Sequence, residues 1–371
     1  MFEDYTQQKY KESYDCIQKQ HNIFVLVGNG FDIAIMNRYQ SGQLKGKTTS
    51  YPCFYDYVCS NSSISAENVL LSRMKEDKAC GKENWSDFEN TLAILLNEEK
   101  VPYNQLEQCI DEFQYEFTFF LNTMVHPQLL MDLNNDVKDK KLAVQSLGKF
   151  MLDIDEDINF PNKTDHYHLY NYVFANFNYT SLLDNYIFTD KGQFDPHIHR
   201  YADRNFSFYP QKAISGRAQT IWSSYMVSEV IHPHGIQDVP RSILFGVDIK
   251  DYDKGDSLEK RLVKSYWAQY DVKYKAYLEK AELFIIYGLS LGTMDAWWLD
   301  KIYDALLTRD AELIIYMFGN AGADAVIELF FKACIRHSGN SEEDKSNVAA
   351  KIVIVEFTAN DTYFLGLEKK D

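Results

Sequence analysis

The sequence predicts a doubly wound α/β protein with a mostly parallel sheet, interrupted by a large α-helical insertion. Three observations carry this. Short apolar runs of strand length recur at Ile23–Val27, Tyr172–Phe177, Ser242–Val247, Leu283–Tyr287, Glu312–Phe318 and Lys351–Glu356. Helical periodicity fills the gaps at Ser181–Phe188, Lys273–Glu282, Asp295–Leu307 and Asp324–Arg336, and such alternation marks parallel strands covered on both faces. Between the first two runs, roughly a hundred residues read as almost wholly helical, too long a gap for a simple crossover.

Taken in order, residues 1–21 read as a short polar, helical leader. The run Ile23–Val27 is uniformly apolar, as a strand buried on both faces must be. It delivers Gly28-Asn29-Gly30 to the start of a helical pattern. Two glycines there let backbone approach a phosphate closely, and the helix N-terminus offers N–H groups and a positive partial charge. The dinucleotide fingerprint wants a third glycine where this chain has Ile33, which argues against an ordinary dehydrogenase. A strand-to-helix turn without a ligand fits the spacing equally well.

Residues 38–50 form a loop rich in Gly, Lys and Thr, and the helical block runs from Tyr51 to about Asp157. One helix opens at Ser86, with Glu89 three residues on as the partner of a capping box, and Phe88, Leu92, Leu95 and Leu96 make its apolar stripe. A second runs through Gln105 to Asn122 and a third from about Lys140 to Asp153. Residues 22–50 and 158–371 then form the nucleotide-binding α/β domain and 51–157 the insertion. Residues 189–228, dense in aromatics and charges, carry no legible pattern.

With 371 residues, 26 Tyr and 24 Phe, the chain can bury a large core. Lys and Arg total 38 against 54 Asp and Glu, a formal charge of −16. That surface repels a phosphodiester backbone, and no basic run offsets it, so nucleic acid is a poor partner. The six cysteines form no CxxC pair, the N-terminus lacks the features of a signal peptide, and no apolar stretch is long enough to span a bilayer. The expectation is a soluble cytoplasmic protein in a reducing environment, with no membrane partner. The Asn-x-Ser/Thr triplets at Asn162, Asn178 and Asn205 would then stay unmodified.

Open α/β sheets bind ligands beyond the carboxyl ends of their strands. There the chain places Gly28-Asn29-Gly30, Asn176-Phe-Asn-Tyr-Thr180, Gly246 with Asp248, and Gly288-Leu-Ser-Leu-Gly-Thr-Met-Asp295, while His232-Pro-His-Gly235 precedes the expected strand Ser242–Val247. Three His-x-His pairs, His166/His168, His197/His199 and His232/His234, have strand-compatible spacing for a metal. None belongs to a standard hydrolase signature, and no metal is expected.

Five motifs, in order, resemble those of the bacteriophage abortive-infection AbiH family over about residues 22–300. They are Gly28-Asn-Gly-Phe-Asp32, Trp85-Ser-Asp-Phe-Glu89, Phe177-Asn-Tyr-Thr180, His234-Gly235 with Phe245-Gly246, and Gly288-Leu-Ser-Leu-Gly292 with Asp295. The series is also remotely similar to sirtuin-type, Rossmann-like NAD-binding domains. The resemblance implies an antiviral effector that binds NAD and hydrolyses it at the nicotinamide–ribose bond. It makes His234 and Asn178 the catalytic pair, His234 as base and Asn178 as orienter of water or ribose. It assigns NAD contacts to Gly28, Asn29, Gly30, Phe31, Asp32, Asn178, Gly288, Ser290 and Asp295. The partner is then a small-molecule nucleotide, with self-association or a phage-derived trigger as further partners of such an effector. Two other readings stay open: a catalytically silent nucleotide sensor that recruits a partner, and a metal-dependent hydrolase or nuclease built on the His-x-His pairs.

Overall fold

Six parallel strands form the central sheet: β1 (Lys19–Val27), β2 (His168–Asn176), β3 (Tyr225–Ile231), β4 (Leu283–Tyr287), β5 (Glu312–Phe318) and β6 (Ile352–Phe357). Their spatial order is β3-β2-β1-β4-β5-β6. The computed structural model describes residues 1–11, 17–61, 63–140, 142–154, 158–165, 167–188, 207–208, 222–248, 262–359 and 361–367. From β1 the chain winds outward to β3, then returns to the far side of β1 and winds outward again to β6. The direction reverses between β1 and β4, where a crevice opens beyond the strands' carboxyl ends.

The period of two along β1 divides the core. Ile23, Val25 and Val27 enter one apolar cluster, and Phe24 and Leu26 the other. On the first face lie α1 (Asn29–Tyr39), α2 (Tyr51–Asn61), α3 (Val69–Ala79), α4 (Phe88–Glu98), α5 (Tyr103–Met124), α6 (Pro127–Lys140), α7 (Leu142–Lys149) and α8 (Leu182–Phe188). Their buried side chains, among them Phe54, Phe88, Phe113 and Phe117, share one cluster with the sheet. On the second face lie α9 (Ala296–Thr308), α10 (Ala323–Ala333) and α11 (Glu342–Ala349), with Trp297 and Trp298 fully buried. Both faces are covered, which is the doubly wound α/β arrangement. Among the described residues no helix is long and apolar enough to cross a membrane.

Several elements differ from expectation. Residues 243–246 are irregular, and Val247 makes only an isolated bridge to Val263. The strand beside β2 is instead Tyr225–Ile231. It lies at the sheet edge, with Ser228 half-buried and Glu229 exposed, so it lacks the continuous apolar run of a central strand. β1 begins at Lys19, inside the expected leader, and the single helix expected at Lys273–Glu282 is two turns, Tyr270–Lys273 and Lys275–Leu278. Within 189–228 a two-residue antiparallel pair joins Ser207–Phe208 to Trp222–Ser223.

Candidate functional site

A cavity of about 530 Å³ opens beyond the carboxyl ends of β1, β2, β3 and β4, within the size range of small-molecule sites. The turn at the end of each strand supplies part of its lining. Gly28, Asn29, Gly30 and Asp32 come after β1, Asn178 to Thr180 after β2, His234 after β3, and Gly288, Ser290 and Asp295 after β4. The helical block closes the wall with Tyr51, Asp87 and Glu89, and Lys264 reaches in from the turn after Val263.

The glycines at the β1 turn are required by the β4 turn. A Cβ on Gly28 would lie 2.6 Å from the Gly288 carbonyl oxygen, and one on Gly30 would lie 2.7 Å from the Gly288 Cα. The amides are also engaged: Gly28 N–H donates to Tyr287 O, Gly30 N–H to Gly288 O and Phe31 N–H to Gly28 O, all at 2.9–3.1 Å. The turn is therefore clamped, and it presents fewer uncommitted N–H groups than its spacing leads one to expect. Asn29 is tied in too, its Oδ1 accepting the Thr49 hydroxyl at 2.7 Å.

Asp32 is wholly buried at the root of the cavity. Its carboxyl accepts Asn178 Nδ2 at 2.8 Å and the Thr180 hydroxyl at 2.7 Å. Burial is the main influence on its pKa and pushes it up to about 7, against the lowering effect of those two donors. Asn178 Nδ2 also donates to the Gly28 carbonyl at 3.1 Å. A carbonyl can only accept, so this fixes which amide atom is nitrogen and leaves the side-chain oxygen as the group for the cavity.

His234, Asp295, Lys264 and Glu89 form a buried charged cluster. Lys264 Nζ lies 2.9 and 3.0 Å from the two Glu89 oxygens and 3.6 Å from Asp295 Oδ1. His234 Nε2 stands 3.1 Å from the same Asp295 oxygen, a close approach without hydrogen-bond alignment. Burial works against the Asp295 carboxylate, but Lys264 first and His234 next hold its pKa well below the usual range. Burial likewise opposes the Lys264 ammonium, yet the neighbouring carboxylates hold its pKa well above the ordinary value. Glu89 additionally accepts Gly246 N–H and the Tyr51 hydroxyl, both at 3.1 Å. It does not cap its helix: Asp87 is the N-cap, accepting Asn90 N–H at 3.0 Å, so Glu89 is free to turn inward.

Of the residues expected to contact a nucleotide, Gly28, Asn29, Gly30, Asp32, Asn178, Gly288, Ser290 and Asp295 line the cavity, together with His234. Phe31 does not. Its ring is in the core, 5.5 Å from Tyr186 and 6.5 Å from Tyr287 between centroids. Lys264 and Thr49 also line the cavity, and sequence reasoning alone misses both; Thr180, which closes the Asn176–Thr180 motif, lines it as well. Among the described lining residues Lys264 is the one lysine, no arginine is present, and Asp32, Asp87, Glu89 and Asp295 supply four carboxyl groups.

Of the His-x-His residues that are described, His168 lies apart from His232 and His234. His166, His197 and His199 fall outside the described residues. His168 pairs with His21, Nδ1 to Nε2 at 2.9 Å, at the amino end of the sheet, where burial and then His21 lower its pKa to about 4. His232 Nε2 meets Asp184 Oδ1 at 3.0 Å. Among the described residues no three His, Cys, Asp or Glu side chains are grouped to hold a metal.

The family model described as Bacteriophage abortive infection AbiH matches residues 23–317. That span is well over half of the chain, and the chain belongs to this family. No curated protein matches it.

Proposed function

We propose that this member of the AbiH family acts in abortive infection by binding NAD in the cavity at the strand reversal and hydrolysing its nicotinamide–ribose bond. The observation that carries the reading is convergence: Gly28, Asn178, His234 and Ser290, delivered by four different strands, line one cavity. The short motif likeness to sirtuin-type domains supports NAD over other nucleotides. The charge pattern supports it too, because the described lining holds an excess of carboxyl groups over its one lysine, which suits a substrate whose reacting end is a cation.

In this reaction water adds to the ribose C1′ as the C1′–N bond breaks. The bonding pair passes to the ring nitrogen, so nicotinamide leaves neutral, and the proton lost by water passes to His234. Asn178 Oδ1 accepts a hydrogen bond from the water or a ribose hydroxyl and so orients it. The carboxylates stabilise the oxocarbenium character of the transition state. A neutral leaving group needs no Lewis acid.

The test is release of free nicotinamide from NAD by the purified protein, with and without a chelator, beside Asn178→Ala, His234→Ala and the double variant. Residues acting as a unit lose activity non-additively, so the double variant should be little worse than either single one. Chelation should change nothing. NAD bound without turnover would favour the sensor, and chelator-sensitive activity the metal hydrolase.

A further inference from the structure

His234 Nε2 and Asp295 Oδ1 are both buried and face each other at 3.1 Å without hydrogen-bond alignment, and among the described residues neither has a hydrogen-bond partner. The imidazole has little freedom to turn. The His234 carbonyl accepts Leu244 N–H at 2.8 Å, and Gly235 comes next at φ +87°, where a Cβ would strike the Ser242 carbonyl. The Phe177 ring meets the imidazole edge-on at 5.0 Å between centroids, with Tyr179 at 5.9 Å. Asp295, for its part, precedes α9 but makes no side-chain cap. The Trp297 N–H at the start of that helix is taken by Asp248 Oδ2. The Asp295 carboxylate is therefore turned away from the ordinary work of a residue at a helix start, toward His234 and Lys264.

We infer that Asp295 is the positioning residue of His234, holding the imidazole with its proton on Nε2 and leaving Nδ1 as the acceptor for the cavity that His234 lines. A carboxylate can only accept, so the ring nitrogen facing it carries the proton. Lys264, itself held by Glu89 from α4, keeps a positive charge 3.6 Å from the Asp295 oxygen, which maintains the carboxylate in its accepting form. The helical block thereby contributes, through Glu89 and Lys264, to the protonation pattern of a histidine on the sheet. The base that removes a proton from water or ribose is Nδ1, and the positive charge it acquires is stabilised by Asp295 on the other side of the ring. This rests on the reading of His234 as base, but the tautomer belongs to the resting protein and can be read without substrate.

The experiment is ¹⁵N NMR of histidine-labelled full-length protein, at a pH high enough for every imidazole to be neutral. The His234 signals are assigned by their loss in His234→Gln. The wild type should show a protonated Nε2 and a bare Nδ1. Asp295→Asn can turn a donating amide to Nε2, and should move the proton to Nδ1. A wild-type proton on Nδ1 overturns the inference even if the Asn variant does not fold, and so does an unchanged tautomer in a folded Asp295→Asn protein. In the NAD assay the Asn variant should lose kcat on the order of a hundredfold or more, with little change in KM. If the wild type releases no nicotinamide, the hydrolase reading fails, while the NMR result still decides the role of Asp295.

Discussion

Gly30 and Gly288 meet backbone to backbone across the strand reversal: a Cβ on Gly30 would lie 2.7 Å from the Gly288 Cα, and the Gly30 N–H donates to the Gly288 carbonyl at 2.9 Å. The contact binds the turn after β1 to the turn after β4, the two edges of the crevice. Gly288 itself is at φ +67°, a conformation that favours glycine. The glycine pattern that reads as a phosphate cradle is thus needed for packing whether or not a phosphate binds.

Gly30→Val should therefore cost stability, not only ligand binding. The added carbons meet backbone rather than the end of a flexible side chain, so the two turns must separate. The expected loss is about 3 kcal/mol, at the upper end for overpacking. A control at Gly339, where a Cβ would meet nothing within 4 Å, should leave Gly339→Ala within about 0.5 kcal/mol of wild type. Urea unfolding measures both. A Gly30→Val protein with the wild-type midpoint would show that the clamp yields easily.

Asp32 gives the fold a pH dependence of definite sign. Its folded pKa is raised to about 7, mainly by burial, whereas in the unfolded chain it is an ordinary carboxyl near 3.9. Between those values the folded state holds a proton that the unfolded state has released. Its contribution to stability is fully present below about pH 4 and is lost as pH rises toward 7, up to about 4 kcal/mol in all. Asp32→Asn is neutral throughout and can still accept from Asn178. The difference in unfolding free energy, wild type minus variant, should fall steadily from about pH 4 to about pH 7 and then level off. A flat difference would mean that Asp32 is already ionised in the folded protein.

How much of the fold is legible in the sequence depends on how local the cause of each element is. Ile23–Val27, Leu283–Tyr287 and the start of β5 are buried on both faces, and a continuous apolar run announces such a strand. Tyr225–Ile231 is an edge strand, and Ser228 and Glu229 break its pattern. In the site, Asn178 stands directly after a strand that its apolar run announces, whereas His234 is legible through its short His-Gly motif alone, the edge strand before it being hidden. Glu89 reads as a capping residue because Ser86 stands three residues before it. Yet Asp87 fills that role, and the partner that turns Glu89 inward, Lys264, is 175 residues away. No local pattern encodes a partner at that separation. Lys264 comes after the charged stretch 249–261 and belongs to none of the motifs, so nothing local marks it as buried.

Lys264→Met tests the cluster as an electrostatic unit. The ammonium is 2 % exposed and lies within 3.6 Å of oxygens from both Glu89 and Asp295. Methionine fills much of the same volume but leaves two buried carboxylates without their counter-charge, at a cost of about 3–5 kcal/mol near neutral pH. Glu89→Gln in the same chain removes one of those charges, so the double variant should recover part of the loss, giving a coupling well outside additive behaviour. The pH dependence separates charge from packing. In the wild type Asp295 has a depressed pKa, so its contribution is present above the unfolded value near 3.9 and is lost as pH falls through the folded one. Without Lys264 the carboxylates can relieve themselves by taking up protons, so acid should shrink the gap between variant and wild type. Unfolding free energies at about pH 4 and about pH 8 should then show a smaller penalty at the acid end. A penalty of equal size at both would assign the loss to packing of the lysine stem and remove the charge cluster from the account of the site.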